Sequence, residues 1–376
     1  MNPDRILILK PSSLGDVIQA LPVLRILRRR FPQAEIYWWV DRELAPLIED
    51  DPDLTGVCLF YRRGWSGWQA WQATARSLWR MRRLEFDWVL DLQALARSGL
   101  IAWFSGGRRI VGLDDPREGA PTFYDTAVPR PGPRSHAVEW YLKLVEALDV
   151  APHWDFEWIP PRPQVQARIA ASRPEAGAVW IGVQPGARWR SKRWPERHFA
   201  ETVARLAEAV PEARFAIFGS RAELDAAVRV AAGAPEQCAV LAGKISLPEM
   251  VEWLRRCAVV LTNDTGPMHV AAALRRPLVA LFGPTDPART GPYGQAQNVL
   301  RAGLDCSPCF RSRCPLRPPN RCMELIRPEE AAAKALELLR EGTDPAPAPW
   351  RASRWGKPTW TATTNQPSSK VASNAG

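Results

Sequence analysis

Val259-Val260-Leu261-Thr262-Asn263-Asp264-Thr265-Gly266-Pro267-Met268-His269 reads as the end of a buried strand, a short polar loop and the start of a helix. The apolar, mostly β-branched run favours a strand; Gly266-Pro267 then opens an alanine-rich segment that reaches Leu274 and suits a helix. A helix begun in this way aims unpaired backbone N–H groups and the positive end of its dipole at the loop, which makes an anion site. Asp264, Thr265 and His269 add a carboxylate, a hydroxyl and an imidazole around it. The same residues also fit a plain capped turn, in which Asp264 or Thr265 only satisfies the helix N-terminus. The rest of the chain decides between the two.

Working outward, short apolar runs alternate with helix-period segments almost throughout. Ile6–Leu9 precedes 17–30, Glu35–Val40 precedes a segment around 44–48, Val57–Tyr61 precedes a Trp/Arg stretch, and Trp88–Leu90 precedes 94–104. His136–Leu148 reads as a helix closing the first half, and Ile159-Pro160-Pro161-Arg162-Pro163 cannot continue it, so it reads as a linker. The alternation restarts with strand candidates at 178–183, 215–218, 240–241, 259–261 and 278–282, and ends in an amphipathic helix at 329–340. This βαβα order specifies an α/β fold with doubly wound parallel sheets in two domains, residues 1–160 and 161–342, facing a cleft. Beyond Gly342 the composition turns to Pro, Ala, Thr, Ser and Asn, the signature of a disordered tail over 343–376.

A chain of 376 residues, 46% of them hydrophobic, has material for two cores. The formal charge of +10 and isoelectric point near 9.6 favour acidic partners: phosphorylated substrates, anionic lipid or nucleic acid. Ile6–Leu9, closed by Lys10, is too short for a signal peptide, and no stretch has the length to cross a bilayer. The expectation is a cytoplasmic protein whose seven cysteines are reduced or metal-bound rather than paired.

Open α/β sheets bind ligands beyond the carboxyl ends of their strands, so functional residues should follow a strand. Ser12-Ser13-Leu14-Gly15-Asp16, Asp91-Leu92-Gln93, Gln184-Pro185-Gly186-Ala187, Gly219-Ser220, Asp264-Thr265-Gly266 and Gly283-Pro284-Thr285-Asp286 all do so. Asp51-Pro52-Asp53 looks like an Asp-x-Asp metal pair, yet it precedes a strand, where a Pro/Asp turn is expected anyway. No other carboxylate pair or histidine cluster has metal-ligand spacing. The chemistry is expected to be metal-independent.

Together these motifs resemble glycosyltransferase family 9, the bacterial heptosyltransferases of the lipopolysaccharide inner core. The resemblance rests on Ile8-Leu9-Lys10-Pro11-Ser12-Ser13-Leu14-Gly15-Asp16 with Ala20-Leu21-Pro22, Asp91-Leu92-Gln93, Pro185-Gly186-Ala187, Lys192-Arg193-Trp194-Pro195, Phe218-Gly219-Ser220 with Glu223, and Leu241-Ala242-Gly243-Lys244. Its strongest parts are Asn263-Asp264-Thr265-Gly266-Pro267-Met268-His269 and Leu281-Phe282-Gly283-Pro284-Thr285. It implies a GT-B fold of two Rossmann-like domains, the first for the acceptor and the second for the nucleotide sugar. It also implies inverting, metal-independent transfer from ADP-heptose to Kdo-lipid A or an already heptosylated core.

On this resemblance Asp16 is the general base that takes the proton of the attacking hydroxyl. From its residues alone, Ser13-x-x-Asp16 also fits a helix capping box. Lys192, in the loop Arg188-Trp189-Arg190-Ser191-Lys192-Arg193-Trp194, is the candidate diphosphate cation, because a fixed cation stabilises charge growing on a leaving group. Thr265, Gly266 and His269 are placed on the same diphosphate, with Asp264 orienting the loop. Gly219, Ser220 and Glu223 follow the strand that would receive base and ribose, with a helix cap as the alternative role of Glu223, and Lys10, Ser13 and Gln93 lie on the acceptor side.

Cys306-x2-Cys309-x4-Cys314-x7-Cys322 suggests a structural zinc or iron–sulfur site, with a reduced, packed loop as the alternative. Trp65, Trp68 and Trp71 among Arg62, Arg63, Arg76, Arg80, Arg82 and Arg83 suit either an interfacial helix on anionic lipid or a helix packed on the first sheet. The expected protein is a monomeric glycosyltransferase with no cofactor needed for catalysis and no nucleic-acid partner. It uses an ADP-sugar donor and a lipid-anchored saccharide acceptor at the inner face of the inner membrane. A sugar-nucleotide isomerase or epimerase of the same architecture, or a non-catalytic nucleotide-sugar-binding protein, are the alternatives.

Overall fold

The computed structural model describes residues 2–61, 68–172 and 177–342. The first half runs β1 (Arg5–Leu9), α1 (Leu14–Arg30), β2 (Glu35–Asp41), β3 (Gly56–Phe60), α2 (Trp68–Arg82), β4 (Trp88–Asp91), α3 (Ala96–Ser105), β5 (Arg109–Leu113), β6 (Thr126–Val128) and α4 (Ala137–Glu146). The second half begins with α5 (Pro163–Ser172), β7 (Val179–Gln184), α6 (Glu196–Ala209), β8 (Ala213–Ile217), α7 (Leu224–Ala231), β9 (Cys238–Val240) and α8 (Leu247–Arg256). It continues with β10 (Val259–Asn263), α9 (Gly266–Ala273), β11 (Leu278–Phe282), α10 (Pro287–Thr290), β12 (Val299–Arg301), α11 (Arg321–Glu324) and α12 (Pro328–Arg340).

Each half builds one six-stranded sheet, in the orders β3-β2-β1-β4-β5-β6 and β12-β11-β10-β7-β8-β9. Every strand pair is parallel. Helices cover both faces, which is why β11 is apolar along its length, β10 is apolar as far as Leu261, and both are buried at every residue. In both sheets the chain starts at the centre, winds to one edge, and returns to fill the other side. The reversals fall between β1 and β4 and between β7 and β10. Loops that leave a sheet at such a reversal diverge and open a crevice at the carboxyl edge. Four loops are thereby singled out, those after β1, β4, β7 and β10.

The two halves share a core. One hydrophobic cluster runs from Ile6 and Ile8 through Leu24, Val138 and Trp158 to Met268, Val270 and Phe282. Helix α1 packs against both α4 and α9, and so is buried nearly all round from Gly15 to Leu27. Separate clusters fill the outer faces of the sheets.

The elements expected from the sequence are present with boundaries shifted by up to three residues, α1 beginning at Leu14. Phe218 and Leu241 lie just beyond their strands, and the segment at 44–48 is a single 3-10 turn, Ala45–Leu47. Strands β5, β6 and β12 were not anticipated. β6 and β12 are three-residue edge strands, too short to show a periodicity, and gain their ladder bonds only from a neighbour. The tail at 343–376, Arg62, Arg63 and Trp65 lie outside the described residues.

Asp51-Pro52-Asp53 is a structural turn, as its place before β3 implied. Arg25, buried in α1, donates from Nη1 to Asp51 Oδ1 at 2.5 Å and to Asp53 Oδ2 at 2.7 Å, and from Nη2 to the carbonyl of Trp158 at 2.9 Å. Both carboxylates serve an internal cation, so they are not arranged for a metal.

Candidate active site

The loop after β1 turns into α1 at Ser13, whose extended backbone makes it the N-cap. Ser13 donates its N–H and its hydroxyl to Asp16 Oδ2, each at 2.7 Å. The capping box read from the sequence therefore exists, and it places the half-buried Asp16 carboxylate at the mouth of the first crevice. Lys10 lies beneath it, buried, with Nζ donating to the Leu92 carbonyl at 2.8 Å and sitting 5.1 Å from the centre of the Tyr141 ring. Burial opposes ionisation of Asp16, but the Lys10 ammonium, the Ser13 donors and His269 outweigh it and hold the carboxyl below its ordinary range. Burial likewise opposes charge on Lys10, yet Tyr141, Asp16 and Asp91 raise it overall.

Asp91, at the end of β4, is fully buried. It accepts from the backbone N–H groups of Gln93 at 2.8 Å and Ala94 at 3.2 Å, and from the Tyr124 hydroxyl at 2.7 Å. It holds the loop that presents Gln93, whose Oε1 is buried without a hydrogen-bond partner among the described residues.

Across the cleft, Thr265 caps α9 with an extended backbone, and its side chain makes no bond to the first turn. The helix therefore keeps open donors and a free hydroxyl at its N-terminus. Asp264 is buried beside it and ties two distant loops together: Lys192 Nζ lies 2.6 Å from its Oδ2, and the Thr285 hydroxyl donates to the same oxygen at 2.5 Å. Lys192 also sits 4.9 Å from the centre of the Trp189 ring. Asn263 completes the clamp, donating to the Pro185 carbonyl at 2.7 Å and accepting from the Trp194 N–H at 3.1 Å. The loops after β7, β10 and β11 are thus one unit.

The two N-termini meet head to head. An added Cβ on Gly15 would lie 2.3 Å from His269 Cδ2, and one on Gly266 would lie 2.7 Å from Leu14 Cδ2. Glycine at both positions is what lets α1 and α9 approach. His269 Nδ1 pairs with the buried Gln19 amide at 3.2 Å. Burial lowers the affinity of His269 for a proton, with Lys192 adding to the effect and Asp264 and Asp16 opposing it. A neutral ring that accepts at Nδ1 carries its proton on Nε2.

Gly219, Ser220 and Glu223 lie after β8, one strand away from the reversal. Glu223 Oε2 accepts from the Ser220 N–H at 2.8 Å and its hydroxyl at 2.9 Å, the capping arrangement that competes with ligand contact. Its other oxygen abuts Gly186, where a Cβ would stand 2.0 Å from Oε1. A cavity of about 910 Å³ opens beside α6 and α7 and reaches this neighbourhood at Pro185, Gly186, Ala222 and Glu223; Asp16, Lys192 and His269 do not line it. Cys306, Cys309, Cys314 and Cys322 line a separate cavity of about 350 Å³ behind the Lys192 loop.

Gln19, Tyr141 and Thr285 have contacts that sequence reasoning did not foresee. Gln19 carried a signal, being a polar residue inside the otherwise apolar run from Val17 to Leu24.

Two Rossmann-like sheets, each with a topological reversal facing a shared cleft, define a GT-B architecture. The family model of glycosyltransferase family 9 (heptosyltransferase) matches residues 75–319. The chain is 33% identical over 344 residues to lipopolysaccharide heptosyltransferase 1 of Pseudomonas aeruginosa, spanning 86% of this chain and 90% of that one. It belongs to glycosyltransferase family 9. In fold it matches the Escherichia coli ADP-heptose LPS heptosyltransferase II, with a TM-score of 0.71 at 24% identity, covering 90% of this chain and 99% of that one. An E. coli heptosyltransferase solved with ADP matches with a TM-score of 0.70 at 24% identity, covering 89% and 99%.

Proposed function

We propose that this protein transfers a heptose from ADP-heptose to the lipopolysaccharide inner core, Kdo-lipid A or a heptosylated core, with inversion and without a metal. The observation that carries the reading is the meeting of two helix N-termini, one bearing an ionised carboxylate and the other open donors. The acceptor hydroxyl attacks the anomeric carbon on the face opposite the diphosphate, and Asp16 takes its proton. The bond from that carbon to the diphosphate oxygen breaks, and ADP leaves with the electron pair. Lys192, the Thr265 hydroxyl, the Gly266 N–H and His269 Nε2–H receive the charge that develops on the diphosphate. Asp264 positions Lys192 and does not transfer a proton. Lys10, sealed under the acceptor side, keeps Asp16 ionised.

A lipid-anchored acceptor calls for work at a membrane surface, on the cytoplasmic side and by a single chain. Among the described residues no helix is long and apolar enough to cross a membrane. The support for peripheral contact is the α2–α3 face, where Trp79, Leu100 and Trp103 are exposed beside Arg76, Arg80 and Arg83.

The test is ADP release from ADP-heptose, measured with and without a Kdo-bearing acceptor. The transferase reading expects turnover only with acceptor. Release at the same rate without acceptor would point to an isomerase or hydrolase, and binding without release to a nucleotide-sugar carrier.

A further inference from the structure

Residues 302–320, between β12 and α11, form neither helix nor strand, and none of them is buried. A connection of this length without regular structure is uncommon in a compact domain. With no apolar core of its own, such a segment needs a cross-link to hold one conformation. It is nevertheless fastened to the donor side of the cleft. The Ser191 hydroxyl donates to the Arg311 carbonyl at 2.6 Å and the Ser191 N–H to the Ser312 carbonyl at 3.4 Å. The Phe310 N–H donates to the Pro284 carbonyl at 2.8 Å, and the Ser307 hydroxyl donates to the Gly283 carbonyl. Ser191 precedes Lys192, and Pro284 precedes Thr285, the partner of Asp264. The segment therefore braces both the cation and the residue that orients it.

Its interior is the cavity of about 350 Å³ lined by Cys306, Cys309, Cys314 and Cys322. We propose that these four thiols bind one thiophilic ion, Zn²⁺ or iron, whose tetrahedral coordination takes the place of the missing core and rigidifies the Lys192 loop. Four sulfur donors at tetrahedral positions select these metals over hard cations. All four thiols line this one cavity, so a single ion can be reached from each of them. Binding replaces four S–H protons with one divalent ion, releasing the protons to solvent and leaving a site of net charge about −2. Arg311 and Arg321 line the same cavity, and Arg313 and Arg317 lie in the same segment, so that charge is offset. Among the described residues no three His, Cys, Asp or Glu side chains yet stand in ligand geometry. The thiols must close by rotamer change onto a point about 2.3 Å from each sulfur, which an exposed segment permits.

The full chain is purified without chelator and analysed for metal and for thiol reactivity. About one ion per chain is expected, identified as iron or zinc by elemental analysis; iron would add absorbance in the visible once oxidised to the ferric state, and zinc would add none. The Cys306, Cys309, Cys314 and Cys322 thiols should resist alkylation until the ion is stripped under reducing conditions. Zn²⁺ added to the stripped protein should restore that protection. The Cys309→Ser/Cys314→Ser variant should lose the ion while Cys58, Cys238 and Cys257 behave as before. A metal-free chain that cannot be reconstituted, or disulfides among the four cysteines, would overturn the site. ADP affinity, which alone rests on the proposed donor site, should fall about tenfold on stripping, or ~1.4 kcal/mol. A bound ion whose removal leaves ADP affinity unchanged would overturn the bracing role.

Discussion

Replacing Gly15 by alanine tests whether the two helix N-termini touch as described. The new methyl would lie 2.3 Å from His269 Cδ2 and 3.0 Å from its Nε2. Carbon atoms settle at about 3.5–4.0 Å, so the imidazole must retreat by roughly 1.2 Å. It cannot simply swing away, because Gln19 holds Nδ1 from the far side. Either the ring leaves its place over the α9 N-terminus or the two halves part. A displacement of about 1 Å at a reacting centre costs about 100-fold in rate, or ~2.7 kcal/mol of transition-state stabilisation. The assay is kcat/KM for acceptor-dependent ADP release, set beside thermal unfolding. Alanine is a better helix former than glycine by about 1 kcal/mol, which offsets part of the overpacking, so unfolding should change little while activity collapses. In a His269→Ala background the ring is gone, and adding Gly15→Ala should cost less than about threefold further. Gly15→Ala alone within about threefold of wild type would refute the close approach.

Asp16→Asn should retain ADP binding and lower kcat by about 10²–10⁴. Because Lys10 and the Ser13 donors hold the Asp16 carboxyl low, the acid limb of kcat/KM should fall below the ordinary aspartate value of about 3.9; a limb above pH 5 would contradict the assignment. Arg25→Ala should destabilise the fold by roughly 3–5 kcal/mol by leaving Asp51 buried and unpaired. Denaturant unfolding measures this loss, and added divalent cation should not restore it. His136 is buried, donating from Nε2 to the Gly291 carbonyl at 3.0 Å and accepting from the Val138 N–H at Nδ1. Burial pushes it down to about 3. Its folded value lies below the unfolded one of about 6.5, so below that pH the unfolded chain binds more protons and stability falls as pH drops. The loss should reach ~2 kcal/mol by pH 5 and level off near pH 3, where the folded histidine also protonates. His136→Gln should flatten this slope in denaturant unfolding at pH 7 and 5, and an unchanged slope would place the titration elsewhere.

The sequence by itself determined what depends on neighbours a few residues apart. The βαβ alternation, the carboxyl-edge position of each motif, and the caps Ser13–Asp16 and Ser220–Glu223 are local, because an i, i+3 contact follows once the helix starts. The demotion of Asp51-Pro52-Asp53 was legible too, from strand order alone. The three-residue edge strands β6 and β12 were not, since their stability comes from a partner rather than from their own residues.

The tertiary structure alone decided which motifs work together. Six loops lie on the binding edge, but strand order puts a reversal only after β1 and β4 and after β7 and β10. That order is a property of winding, and no periodicity encodes it. Lys192 with Asp264 and Thr285, Gln19 with His269, and Gly15 against the His269 ring pair residues distant in sequence. Each forms only when the sheets are wound and their halves pressed together over one shared core. The Asp264–His269 loop was readable as an anion site from its own residues; that it faces Asp16 across two glycines was not.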